Sequence, residues 1–203
     1  MSDTIIGSKS LLARLLAEEN LIVEHKKVDT AMFLISRRIL TLPIWKEMSD
    51  KLYNRLVGHE VGHALYTPEE YEEICEAKGL MYSAFLNIIE DGRVDKKIKR
   101  KYPGLRKSFS EGFDDIIKVK PRLKAIVCGD GKGLYLIDRI NFTLKAPHLT
   151  NYTFTDEEAV YLKRAQEIET WEEVITLTND IFHYCVEVEE NKKDTTDNCL
   201  VLS

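Results

Sequence analysis

The chain has 203 residues, of which 44% are apolar and 31% are charged. This composition is typical of a soluble globular protein, and it excludes collagen-like, low-complexity and wholly disordered classes. The net charge of −5 argues against a protein that coats nucleic acid, because such proteins usually carry a basic surface.

The cysteines and the first residues predict a cytoplasmic protein without a membrane partner. No two of the four cysteines have the CxxC spacing of zinc ribbons or thioredoxin-type sites, so we interpret them as reduced packing residues. The opening MSDTIIGSKS has no basic region followed by an apolar core, as a signal peptide would have. No apolar run approaches the roughly 18 residues of a membrane-spanning helix.

Apolar spacing predicts a mainly helical α+β fold with a small β element before the second helix. Residues 28–45 are rich in β-branched and apolar side chains, which indicates two short strands or one long bent strand, with Pro43 at an edge or a strand end. The second helix should be capped by Ser49 or Asp50. Helices are predicted over residues 8–24, 50–66, 80–101, 134–146 and 156–186 (broken near 170), with shorter ones starting at 67–70 and near 111–117. A single domain over 1–186 is expected, followed by a polar, acidic tail over 187–203.

The most informative motif is His59-Glu-Val-Gly-His63, an HExxH pattern inside the second predicted helix. Side chains at positions i and i+4 of a helix project from the same face, so both imidazoles can bind one Zn²⁺. Glu60 can lean over the open position without ligating the ion, and there it can take a proton from water activated by the metal. Gly58 and Gly62, also four residues apart, predict that another element packs closely against this helix.

A catalytic zinc site needs a third protein ligand beside an open position. Glu90 and Asp91 follow an apolar run in the helix predicted over 80–101, and carboxylates there are costly to bury unless they are paired or ligated. We favour Glu90 as the third ligand because its side chain is longer, with Asp91 as the alternative. If Glu90 ligates, Asp91 could accept the outer N–H of a metal-bound histidine, and Asn87 could join that outer shell. A third interpretation is that Glu90 or Asp91 binds no metal and forms an ion pair with a nearby basic side chain.

These residues resemble the zincin metallopeptidases of the branch in which a downstream glutamate completes the site. More specifically, the chain is similar to metallopeptidases encoded by tailed bacteriophages, which are themselves similar to cobaltochelatase-subunit-like proteins. The similar stretches are residues 38–45, 59–68 and 87–94. The resemblance implies a zincin-like metallopeptidase domain over 1–186, a host-cytoplasmic location and a peptide or protein substrate. It implies Zn²⁺ on His59, His63 and Glu90, with Glu60 as the general base. It also implies that the strand before the metal-binding helix is the sheet edge where an extended peptide would lie.

Two other functions compete with zinc-dependent peptide hydrolysis. The first is a non-catalytic protein of zincin fold that acts by binding a partner protein, although metal binding alone would not need Glu60. The second is nucleic-acid association through the basic run at residues 96–101. Positive charge near a helix C-terminus is favourable in its own right, and the acidic overall balance argues against a nucleic-acid partner.

Overall fold

The computed structural model describes residues 3–45 and 48–192, and it is 66% helix with one small three-stranded sheet. The elements are, in chain order, α1 (Asp3–Ala17), β1 (Ile22–Lys26), β2 (Met32–Leu34), β3 (Ile39–Pro43), α2 (Asp50–Tyr66), α3 (Glu70–Lys78), α4 (Leu80–Lys101), α5 (Leu105–Val119), α6 (Pro121–Val127), α7 (Leu136–Lys145), α8 (Asp156–Glu167) and α9 (Trp171–Lys192). The predicted mainly helical α+β class is confirmed, and the small β element does precede the HExxH helix. In the described part of the chain, no helix has both the length and the apolar character needed to cross a bilayer.

The sheet has the strand order β1-β3-β2, with β1 parallel and β2 antiparallel to β3. The strand before the HExxH helix α2 is β3, which is the middle strand, so the prediction that it is a sheet edge is wrong. Since both sides of β3 are already paired, an added peptide strand could reach only β1 or β2. Pro43 is the last residue of β3 and lies beyond the stretch paired with β2, which confirms its predicted place at a strand end.

The sequence pattern did not predict two elements, strand β1 and the short helix α6. The predicted helix over 8–24 ends at Ala17, and Glu18 has a positive φ of 58°, a left-handed conformation common at the end of a helix. The chain then enters β1, where Ile22 pairs with Ile39 in parallel register. This pairing joins residues far apart in sequence, so local periodicity carries no signal for it.

The two helices that matter for the site, α2 and α4, begin at the predicted residues 50 and 80. The Ser49 side chain accepts a hydrogen bond from the Leu52 N–H at 3.0 Å and donates one to Asp115 Oδ2 at 2.6 Å, so it caps α2 and ties it to α5. Gly79 has a φ of +82°, which separates α3 from α4 and which favours glycine.

Several helix bounds differ from the prediction. Helix α3 begins at Glu70, the last residue of the predicted start at 67–70, and α5 extends well beyond the predicted 111–117. The predicted break near residue 170 is confirmed between α8 and α9. Helix α9 continues to Lys192, which is inside the segment predicted as a tail, and residues 193–203 lie outside the described residues.

The chain forms two compact units. Of the described residues, the first unit contains 3–45, 48–72 and Val94–Asp115, and the second contains Glu73–Arg93 and 116–192. Neither unit is a continuous stretch of the chain, and the single domain over 1–186 stays a prediction. The core of the first unit includes Leu40, Leu42, Tyr53, Val57, Val61 and Ile98. That of the second includes Leu86, Ile89, Ile137, Ile140, Leu177 and Ile181.

Candidate metal centre

The HExxH motif occupies the C-terminal half of α2, and its two glycines allow close packing there. A Cβ added at Gly62 would lie 3.3 Å from the Val94 Cβ, so α4 packs directly against α2 at this level. A Cβ at Gly58 would lie 2.9 Å from the Phe109 ring on α5. The predicted close approach of other elements is confirmed at both glycines.

Both motif histidines use their Nδ1 atoms to contact nearby side chains. His59 Nδ1 lies 2.7 Å from Asp95 Oδ1 on α4, and His63 Nδ1 lies 2.9 Å from Thr67 Oγ1 at the end of α2. An ionised carboxylate only accepts, so the Nδ1 of His59 carries the proton. In the neutral imidazole, Nε2 then has the lone pair that a metal needs. Metal-binding histidines usually have their outer nitrogen bonded in this way.

Asp95 is a buried carboxylate in positive surroundings. Burial raises its pKa, but attraction and hydrogen bonding by His59, with further attraction by Arg55 and Lys99, outweigh burial and lower the pKa overall. Arg55 is held in turn, since its Nη1 donates to the Phe109 carbonyl at 2.7 Å. Asp95 therefore remains an ionised acceptor that orients the His59 ring.

One group of three side chains in the described part of the chain has the arrangement of a metal site. Its members are His59, His63 and Asp91, whose candidate ligand atoms all lie within 4.8 Å of one another. Ligand atoms on a tetrahedral Zn²⁺ with bonds of roughly 2.0–2.1 Å would lie about 3.3 Å apart. Modest side-chain rotations would therefore bring the three atoms to one ion. Two imidazoles and a carboxylate with an open fourth position suit zinc.

Glu90 lies elsewhere, in a buried ion pair. Its carboxylate is fully buried, and its two oxygens accept from Arg93 Nε at 2.8 Å and Arg93 Nη2 at 2.7 Å. The structure thus brings the alternative, Asp91, to the histidines, and it does not bring Glu90. Helical phase explains this better than side-chain length: Asp91 is one turn before Asp95, which contacts His59, whereas Glu90 is rotated by about 100°.

Two donors contact the same oxygen of Asp91. Lys145 Nζ on α7 lies 3.0 Å from Asp91 Oδ2, and Asn87 Nδ2 donates to the same atom at 3.4 Å. The Asp91 side chain is only 4% exposed. The contact of Asn87 with Asp91 is the one expected from their spacing of one helical turn.

Glu60 is buried, with 6% of its surface exposed, and it follows His59 directly on α2. Three further histidines do not belong to the group of three. His25 lies in β1, where its Nε2 is 3.2 Å from the Tyr53 hydroxyl, while His148 and His183 lie in a loop and in α9. The HExxH motif therefore supplies both histidines of that group.

Sequence reasoning missed three residues around the candidate ligands. Asp95 continues the stripe Asn87–Asp91 at a spacing of four residues, and Thr67 lies four residues after the second histidine, so helical spacing could have indicated both. Lys145 has no such signal, because its contact with Asp91 joins helices 54 positions apart in the sequence.

Comparisons with known proteins find no similarity on which to build: no protein-family model, no curated protein and no solved structure matches this chain. The motif and the geometry of these side chains are therefore what support a metal centre.

We expect Asp95→Asn to weaken Zn²⁺ binding by roughly 10–100-fold, the usual cost of losing a partner of a ligating histidine. The amide has no negative charge to fix the Nδ1–H form of His59. Competition titration with a chromogenic chelator measures the affinity, and Asp130→Asn, a change at an exposed turn, is the control. Equal affinities in the Asp95 variant and the wild type would contradict an orienting role.

Proposed function

We propose that the protein is a zinc-dependent metallopeptidase in which His59, His63 and Asp91 hold the ion and Glu60 is the general base. The observation that carries the proposal is the group of three candidate ligand atoms, two from the HExxH helix and one from Asp91 on α4. These atoms lie within 4.8 Å of one another. Three protein ligands that leave a fourth position open are typical of catalytic zinc, while structural zinc usually has four protein ligands.

The chemistry follows from the residue types. Zinc, when bound, lowers the pKa of water toward about 7 and polarises a carbonyl group. Glu60 takes a proton from the attacking water and delivers it to the leaving amine, which is general base and then general acid catalysis. Asp95 and Thr67 hold the two imidazoles at Nδ1 so that each Nε2 can bind the ion. A protein that only stores metal would not need an acidic residue at position 60.

Metal removal tests this function. We expect the purified protein to hydrolyse unfolded substrates such as a fluorescently labelled casein or a broad peptide library. Dialysis against a zinc chelator should abolish hydrolysis, and one equivalent of Zn²⁺ should restore it, because the open position is needed for water and substrate. A His63→Ala protein prepared in parallel controls for contaminating proteases. Hydrolysis that survives both chelation and His63→Ala would contradict the proposal. A zinc-loaded protein with no hydrolysis of any library member would favour the non-catalytic, partner-binding function instead.

A further inference from the structure

The Asp91 carboxylate has an unusual partner, because a cation lies against an oxygen of a candidate metal ligand. Lys145 Nζ is 3.0 Å from Asp91 Oδ2, and the two side chains are only 20% and 4% exposed. A partly buried ion pair has a desolvation cost that its attraction only partly offsets. A cation beside a metal ligand should also oppose binding of a second cation. The contact therefore calls for an explanation other than stability or simple attraction.

The position of Lys145 is set by the packing of α7 on α4. Lys145 is the last residue of α7, and the next residue, Ala146, is fully buried. The preceding residue, Leu144, packs on Gly92, where an added Cβ would lie 2.8 Å from Leu144 Cδ1. Because Gly92 directly follows Asp91, this packing fixes the end of α7 beside the carboxylate. The absence of a side chain at Gly92 is what allows the two helices to come so close.

Lys145 and Asn87 contact the same oxygen of Asp91. Both Lys145 Nζ and Asn87 Nδ2 point to Oδ2, from different helices. A carboxylate can bind a metal through one or both oxygens, and an oxygen that accepts from an ammonium is a poorer metal ligand. On the basis of the proposed function, we infer that Lys145 is a positioning residue that holds Oδ2, so that Asp91 binds the ion through Oδ1 alone. Binding through one oxygen keeps the ion at three protein donor atoms and leaves the fourth position open for water.

Cobalt substitution tests this inference, because the visible bands of Co²⁺ are more intense in four-coordinate than in five-coordinate sites. We expect Co²⁺ in the wild type to show the intense bands, and Lys145→Met to show weaker ones as both Asp91 oxygens reach the ion. Lys145→Arg keeps the charge and the donors and should retain the wild-type spectrum.

The matched control is Lys163→Met, which removes a helical lysine facing Glu167 on α8. It should leave the spectrum unchanged. If Lys145→Met does not fold by circular dichroism, Lys145→Gln is the second neutral variant, and the same weakening of the bands is expected.

An unchanged spectrum in the folded neutral variant overturns the inference, whether the affinity stays equal or rises because a repelling charge has been removed. In that case the proposed function stands, since the wild type still binds the ion. Failure of the wild type to bind Co²⁺ overturns the inference and the metal centre together.

Discussion

A Glu60→Gln variant should keep its Zn²⁺ and lose peptide hydrolysis by roughly 10²–10⁴-fold, the usual contribution of a general base. The carboxamide has nearly the same shape as the carboxylate, so it fits the same buried position on α2. It cannot take a proton from water at neutral pH. The metal-binding side chains are untouched, so zinc content separates loss of the base from loss of the site.

Steady-state hydrolysis of a labelled peptide, together with metal analysis of the same sample, makes this measurement. Glu76→Gln, at an exposed position on α3, is the control for a change of net charge and should behave as the wild type does. Turnover of Glu60→Gln within a factor of two of the wild type would exclude Glu60 as the base. Loss of zinc in this variant would instead show that Glu60 is a metal ligand.

Replacement of Arg93 by methionine should lower the free energy of unfolding by about 3–5 kcal/mol, the range for breaking a buried ion pair from one side. The Glu90 carboxylate is fully buried and Arg93 is 4% exposed, so the change removes a guanidinium partner from a charge that water does not reach. Removing both charges in Glu90→Gln/Arg93→Met should recover a large part of the loss, because no buried carboxylate then remains at this position.

Urea unfolding followed by circular dichroism gives these values. The matched control is Arg164→Met, which breaks a pair with Asp180 whose side chains are 38% and 41% exposed. An exposed pair of this kind is worth about 0–1 kcal/mol. A loss at Arg93 no larger than that at Arg164 would contradict a structural role for the Glu90–Arg93 pair. Normal zinc content in the folded Glu90→Gln/Arg93→Met protein is also expected.

Local sequence signals were sufficient for the helix that carries the motif. The Ser49 cap and the HExxH spacing predict α2 and the shared face of its two histidines, because both depend only on residues within a few turns. Likewise, Gly79 marks the start of α4. Strand β1 was missed because a parallel strand is defined by its partner, which lies 17 positions later for Ile22.

The choice between Glu90 and Asp91 shows a second limit of sequence reasoning. Side-chain length favoured Glu90, but the rotation of α4 about its axis decides which carboxylate faces α2. That rotation is set by contacts such as Val94 against Gly62 and Asp95 against His59, which join residues far apart in sequence. A pattern within α4 gives the spacing of its polar residues, and only packing gives the direction in which they point.

The central claim is that His59, His63 and Asp91 hold one ion. Metal analysis of natively purified protein tests this claim most directly. Plasma mass spectrometry should find about one Zn²⁺ per chain in the wild type and in folded Glu90→Gln. It should find almost none in His59→Ala/His63→Ala and much less than one in Asp91→Ala. Stoichiometric zinc that persists in the double histidine variant would contradict the site. If Glu90→Gln loses zinc and Asp91→Ala keeps it, the third ligand is Glu90 and not Asp91.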